Sequence, residues 1–129
     1  MSTAAKAPPL ATLVRGGDAQ TEAVAITDFI FMARDISNAY LVTTNDGDVL
    51  VNTGFPDNAA RTKALLDPAR TGPLRAIILT QSHADHFGGV DAFREPETRI
   101  IAERRFAANS ADMLYLQPHF GPRSKKLWG

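Results

Sequence analysis

The 129 residues amount to one domain by length, and 14 basic residues balance 14 acidic ones for a formal net charge of zero. That balance argues against the electrostatic footprint of a nucleic-acid or anionic-membrane partner. The sequence has no cysteine, which excludes disulfides and thiolate metal sites and leaves nitrogen and oxygen to ligate any metal.

Residues 1–23 read as an irregular N-terminal arm, interrupted by Pro8, Pro9, Gly16 and Gly17. They lack the about 7–15 continuous apolar residues of a secretory signal. No segment approaches the about 20 apolar residues of a membrane span. The expected location is cytoplasmic, in keeping with the lack of cysteine.

From residue 24 to residue 129 the chain reads as a folded αβ unit. "AVAITDFIFMA" is β-branched and aromatic, which predicts a strand over about 24–32. "RDISN" is a turn, and "AYLVTT" predicts a strand over 39–44. "NDGD" carries an Asp-Gly hairpin signal, and "VLVNTG" returns as a strand over 49–53. The period then changes. Asp57 or Asn58 caps a helix expected over 57–67, with Ala60, Ala64 and Leu65 at helical spacing and Pro68 at its end. "RAIILT" is a short apolar run, read as a buried strand over 75–80. "GGVDAFRE" makes a helical turn or two, "TRIIA" a strand over 98–102, and "ERRFAANSADMLYL" a helix. "GPRSKKLWG" reads as loop. Strands alternating with helices from residue 49 define an α/β class.

The chemistry concentrates after the buried strand, in "LTQSHADHFGGV". Two of the three histidines, His83 and His86, flank Asp85 within four positions. Two imidazoles and a carboxylate suit zinc, with iron or manganese as substitutes. The strand end is the ligand edge of an open α/β sheet. Gly88 and Gly89 are expected to let the backbone turn tightly as the next helix starts. A bound divalent ion lowers the pKa of its water and supplies a hydroxide near neutral pH. The competing reading is a solvated turn with Asp85 capping the next helix. The buried strand before the cluster and the glycine pair after it favour the metal.

"TQSHADHFGG" resembles the His-x-His-x-Asp-His signature of the metallo-β-lactamase superfamily, and the strands and helix before it follow in that family's order over roughly residues 24–110. "ISNAYLVTT", the Gly-Gly-Val after the motif, "IIA" and "MLY" are most similar to its alkylsulfatase-related branch. The resemblance implies an αββα sandwich of which this chain supplies about the N-terminal half. It implies His83 at a first metal, and Asp85 and His86 at a second, with Asp85 also orienting the nucleophile. Gln81 stands where the family has its first histidine. Its amide oxygen is a weaker ligand than imidazole, although some relatives carry Asn or Gln there and keep activity. Asn52 replaces the usual aspartate at the end of its strand. The expected cofactor is one or two zinc ions or another divalent metal.

The implied activity is that of a metal-dependent hydrolase using metal-bound hydroxide on a sulfate ester, lactone, thioester or amide. The alternative is a non-catalytic or weakly active binding or scaffold protein with a decayed first metal site. The family's remaining ligands come from its second half. The expected partners are therefore a small-molecule substrate, with further polypeptide or a partner subunit to complete the fold, a homodimer being one form of the latter. His119 is expected to serve a substrate cleft or the structure. Phe29, Phe31 and Tyr40 are assigned to core or interface. Tyr115, Phe120 and Trp128 are assigned to packing rather than a substrate pocket, and Arg104 and Arg105 to a solvated helix face rather than contact with an anionic substrate.

Overall fold

The protein was analysed as a computed structural model, which describes residue 10 and residues 17–128. Most of the expected N-terminal arm lies outside the described residues. Its described end, residues 17–23, contains a turn but no helix or strand. Gln20 ties it to the sheet: its side chain donates to Met32 O at 3.0 Å and accepts from Arg34 N at 2.7 Å.

Six strands form one sheet in sequence order: β1 (Val24–Ala25), β2 (Ile30–Ala33), β3 (Ala39–Val42), β4 (Asp48–Val51), β5 (Leu74–Leu79) and β6 (Arg99–Ala102). The first four strands are antiparallel, and β4, β5 and β6 are parallel. The expected meander and the change to α/β layering are both present. The strand expected over 24–32 is divided. Thr27 Oγ1 accepts from Phe29 N at 3.2 Å and Ile30 N at 3.0 Å, a local turn that competes with the ladder. Phe29 consequently sits in the turn and is exposed rather than core.

The β3–β4 hairpin turns at Gly47, whose φ of +112° is open to glycine but strained for other residues. Helix α1 (Ala59–Leu66) connects β4 to β5 and is flanked by 3-10 turns at Pro56–Asn58 and Asp67–Ala69. The helix expected over 57–67 is thus regular only in its middle. Pro68 falls in the second turn, where its fixed φ is harmless. Asp48, fully buried, pins the end of this crossover. Its carboxylate accepts from Thr71 N (3.0 Å), Thr71 Oγ1 (2.9 Å) and Gly72 N (3.2 Å).

Two short helices, α2 (Ala84–Phe87) and α3 (Val90–Phe93), follow β5. The long α4 (Phe106–Trp128) closes the chain. Here the expectation of a loop over "GPRSKKLWG" is wrong. The helix continues through Pro118 and Pro122, each of which removes one backbone hydrogen bond without ending it. Phe106 anchors α4, its ring edge-on to Phe87 of α2 at 5.4 Å.

Strand pairing aligns Leu41, Leu50 and Ile77 in one row across the sheet, all at most 1% exposed. They pack in one core with Leu65 and Leu66 of α1 and Phe93 of α3. The alternate row on the other face runs through Met32, Tyr40, Val51, Ile78 and Ile101. These side chains are half-buried, and Ile101 is exposed. Among the described residues no helix is long and apolar enough to cross a membrane.

Candidate metal centre

β5 delivers the motif. Leu79 is buried in the core, and the chain leaves the sheet at Thr80. His83 keeps an extended backbone, with φ −80° and ψ 146°, and precedes α2. Asp85 and His86 therefore share the single turn of that helix, while Gln81 and His83 lie on the loop before it.

Thr53, fully buried just beyond β4, fastens this loop. Its N–H donates to His86 O at 2.8 Å, and its hydroxyl accepts from Gly89 N at 3.0 Å. The glycine pair acts differently from expectation. Neither glycine has a left-handed φ, with −63° at Gly88 and −92° at Gly89. What they allow is close approach. A Cβ on Gly89 would lie 2.5 Å from Thr53 O, and one on Gly88 would collide with Pro56.

Asn52 adopts φ +58°, a region where Asn is the best tolerated residue after glycine. Its Oδ1 accepts from Thr80 N at 3.1 Å, and its Nδ2 donates to Thr80 Oγ1 at 3.0 Å. Thr80 Oγ1 in turn lies 3.3 Å from His86 Nδ1. That contact holds the ring so that Nε2 faces the rest of the cluster, the kind of outer support that orients a ligating histidine.

Around His86 Nε2 gather Gln81 Nε2 at 2.7 Å, Ser37 Oγ at 2.9 Å and Asp85 Oδ2 at 3.6 Å. Ser37 donates its hydroxyl hydrogen to Asp85 Oδ2. The other end of the Gln81 amide, Oε1, meets His83 Nδ1. Gln81, Asp85 and His86 thus meet around His86 Nε2, with Asn52 bordering them through Thr80, whereas His83 reaches this group only through the Gln81 amide. The amide of Gln81 stands between the two imidazoles. His119 is exposed on α4 with its ring against Phe120 at 5.2 Å. A cleft of about 210 Å³ beside the cluster is bordered by Thr80, Gln81, Glu103 and Phe106.

The donor set fits a divalent ion in part. Two ligands on one tetrahedral ion at about 2.1 Å lie about 3.4 Å apart. The 3.6 Å between Asp85 Oδ2 and His86 Nε2 is close to that spacing. Among the described residues, however, no three His, Asp or Glu side chains gather into a metal-holding group. The pair has the spacing of two ligands, and a complete coordination sphere would need other groups.

Sequence reasoning missed Ser37, Thr53, Thr80 and Asp35. Asp35 is buried and accepts from Phe55 N at 2.8 Å and Asn58 Nδ2 at 2.7 Å. It fixes the turn that carries Ser37. The signals in the sequence were an acid and a serine close together in "RDISN", which read as a simple turn, and the family-like run "ISNAYLVTT", which did not single out Ser37.

The chain belongs to the metallo-β-lactamase superfamily, a class of metal-dependent hydrolases. The family profile described as "Metallo-beta-lactamase superfamily" matches residues 32–105, more than half of the chain. Alkyl/aryl-sulfatase BDS1 of Saccharomyces cerevisiae (strain ATCC 204508 / S288c) is 35% identical over 89 residues, covering 60% of this chain and 14% of that protein. The stereoselective inverting sec-alkylsulfatase Pisa1 from Pseudomonas sp. superposes with a TM-score of 0.66 at 21% identity, over 74% of this chain and 17% of that one. A metallo-β-lactamase from Cronobacter sakazakii (Enterobacter sakazakii) with a HARLDQ motif gives 0.61 at 20% identity, over 88% of this chain and 42% of that one. At these identities the structural matches establish the fold. The sulfatase matches agree with the resemblance to the alkylsulfatase-related branch. The chain spans about one seventh of the length of the curated relative.

Proposed function

We propose that this chain is the N-terminal αβ half of a metal-dependent hydrolase acting on a small ester-like substrate, with sulfate esters first among the candidates. The observation that carries the reading is the facing of Asp85 Oδ2 and His86 Nε2, 3.6 Å apart, at the C-terminal end of a buried parallel strand. The sulfatase relatives favour a sulfate ester over a lactone, thioester or amide. A bound zinc ion would supply Lewis acidity and a more acidic water near neutral pH.

The chain's own residues divide the remaining work. Asp85 and His86 would hold the ion. Thr80 and Asn52 keep the His86 ring in place, and Thr53 keeps the loop against the sheet. Gln81 is an oxygen donor with one acceptor end, and that end faces His83. It makes the His83 position the weaker of two. The cleft bordered by Thr80, Gln81 and Glu103 reaches the cluster at Gln81 and would be the place for a small substrate. Further ligands would come from additional polypeptide or a partner subunit, which would also cover the open sheet face.

The second reading is a non-catalytic member of the fold. It draws on the Gln81 amide, which stands in place of the family's first histidine and bonds both His83 and His86. Against it, the neighbour with a HARLDQ motif is itself named a metallo-β-lactamase, so an altered motif is compatible with that name. One experiment separates the two. The full-length protein is dialysed, its metal content measured, and its hydrolysis of sulfate-ester, lactone, thioester and amide substrates followed before and after chelation. Retained zinc and chelator-sensitive turnover are expected, with both lost in His86→Ala. A protein without metal and without turnover supports the non-catalytic reading.

A further inference from the structure

We infer that Ser37 is a positioning residue of the metal centre, its hydroxyl fixing the Asp85 carboxylate beside His86. The inference rests on the proposed reading that Asp85 and His86 hold the ion.

Ser37 lies 48 residues before Asp85, in the turn between β2 and β3. Its hydroxyl reaches both members of the pair. It donates to Asp85 Oδ2, and its oxygen lies 2.9 Å from His86 Nε2. An ionised carboxylate only accepts hydrogen bonds, so the donor in this contact is the serine. A carboxylate on a one-turn helix is free to rotate about χ1 and χ2. This bond selects one orientation, with Oδ2 directed toward the imidazole.

The turn itself is held rigidly. Asp35, two residues earlier, is 8% exposed and accepts from the backbone of Phe55 and Ile36 and from Asn58. Asn38, one residue later, accepts from Asp35 N at 3.3 Å through its side chain. Ser37 is therefore presented to the pair by a buried framework. Thr80 performs the matching task on the opposite side of His86, at Nδ1. The pair is bracketed by two hydroxyls from separate elements. Loss of such an outer partner typically lowers metal affinity about 10–100-fold.

The test uses the full-length protein and Zn²⁺ alone, with affinity read by competition against a chromophoric chelator. Ser37→Ala and Ser37→Gly remove the hydroxyl, and Ser37→Thr keeps it. Circular dichroism confirms folding of each. The expected result is affinity lowered about 10–100-fold in the first two variants and near wild type in Ser37→Thr. The Co²⁺-loaded protein should show a changed d–d spectrum only where the hydroxyl is lost. Unchanged affinity in a folded Ser37→Ala or Ser37→Gly variant overturns the inference. Equal loss in all three variants also overturns it, because the turn and not the hydroxyl would then matter. A wild-type protein that binds no zinc overturns the proposed function, and the inference with it.

Discussion

At Gln81 a single amide takes the place of an imidazole and occupies the space between two others. One end accepts and the other donates, which suits two neutral rings, whereas a metal ion needs lone pairs from all of its ligands. Replacing Gln81 with His is expected to raise zinc affinity at the His83 position. Elemental analysis should then find a higher zinc-to-protein ratio than in wild type, and an unchanged ratio would show that the amide costs nothing. Asn52 carries two roles at once, a left-handed backbone and a fork onto Thr80. Asn52→Ala loses both and should destabilise the fold by about 2 kcal/mol, from strain and lost hydrogen bonds together. Asn52→Gly relieves the strain and should cost less. Urea denaturation of the pair separates the two contributions, and equal costs would remove strain from the account. The motif was legible because its residues are contiguous. Ser37 and Thr53 were not, because they meet the motif only through packing.

Elements here are joined by side chains that satisfy backbone groups. Glu95 is one example, in the turn before β6. Its carboxylate accepts from Leu74 N at 2.9 Å and pairs with Arg70 at 2.6 Å. Burial pushes its carboxyl up, but the Leu74 N–H and the Arg70 guanidinium outweigh burial and hold it below the usual range. A lowered folded pKa stabilises the protein above the unfolded pKa and is lost as pH falls through the folded value. Melting temperature should therefore fall more steeply below about pH 4 in wild type than in Glu95→Gln. Parallel curves for the two would remove Glu95 from the acid response. Helix α1 shows the apolar counterpart. Leu66 is 1% exposed in the core, and Leu66→Ala should cost about 2–5 kcal/mol in denaturant unfolding. The presence of α1 and the hairpin at Gly47 were readable as local signals, but the buried face of α1 was not: Ala60 and Ala64 are exposed, and Ala59, Thr62, Leu65 and Leu66 are buried. The break at Thr27 was not, because a side-chain turn outcompeted a segment of high strand propensity.

On the scale of the whole molecule, one sheet face is packed and the other is not. The half-covered row of Met32, Tyr40, Val51 and Ile78 ends at exposed Ile101. Helix α4 adds Leu114 at 73% and Tyr115 at 84% exposure. Apolar surface arranged in this way marks an interaction site or an association hazard. Residues 1–129 produced alone should self-associate, as measured by analytical ultracentrifugation across a concentration series. A monodisperse monomer at every concentration would show that this face tolerates water.

The sequence by itself determined the α/β class, the order of strands and helices, and the place of the His-Asp-His cluster. Those features are local: alternation, hairpin residues, and donors within six positions of one another. Tertiary structure decided which side chains support the cluster. Thr53 and Ser37 reach His86 or Asp85 across 33 to 49 residues of chain, and Asn52 reaches Thr80 across 28, through packing that no local segment specifies. It also decided that the glycine pair serves close approach, since the presence of Thr53 and Pro56 beside it depends on how the elements pack. Local patterns record what a segment prefers, and only the packed sheet determines what that segment meets.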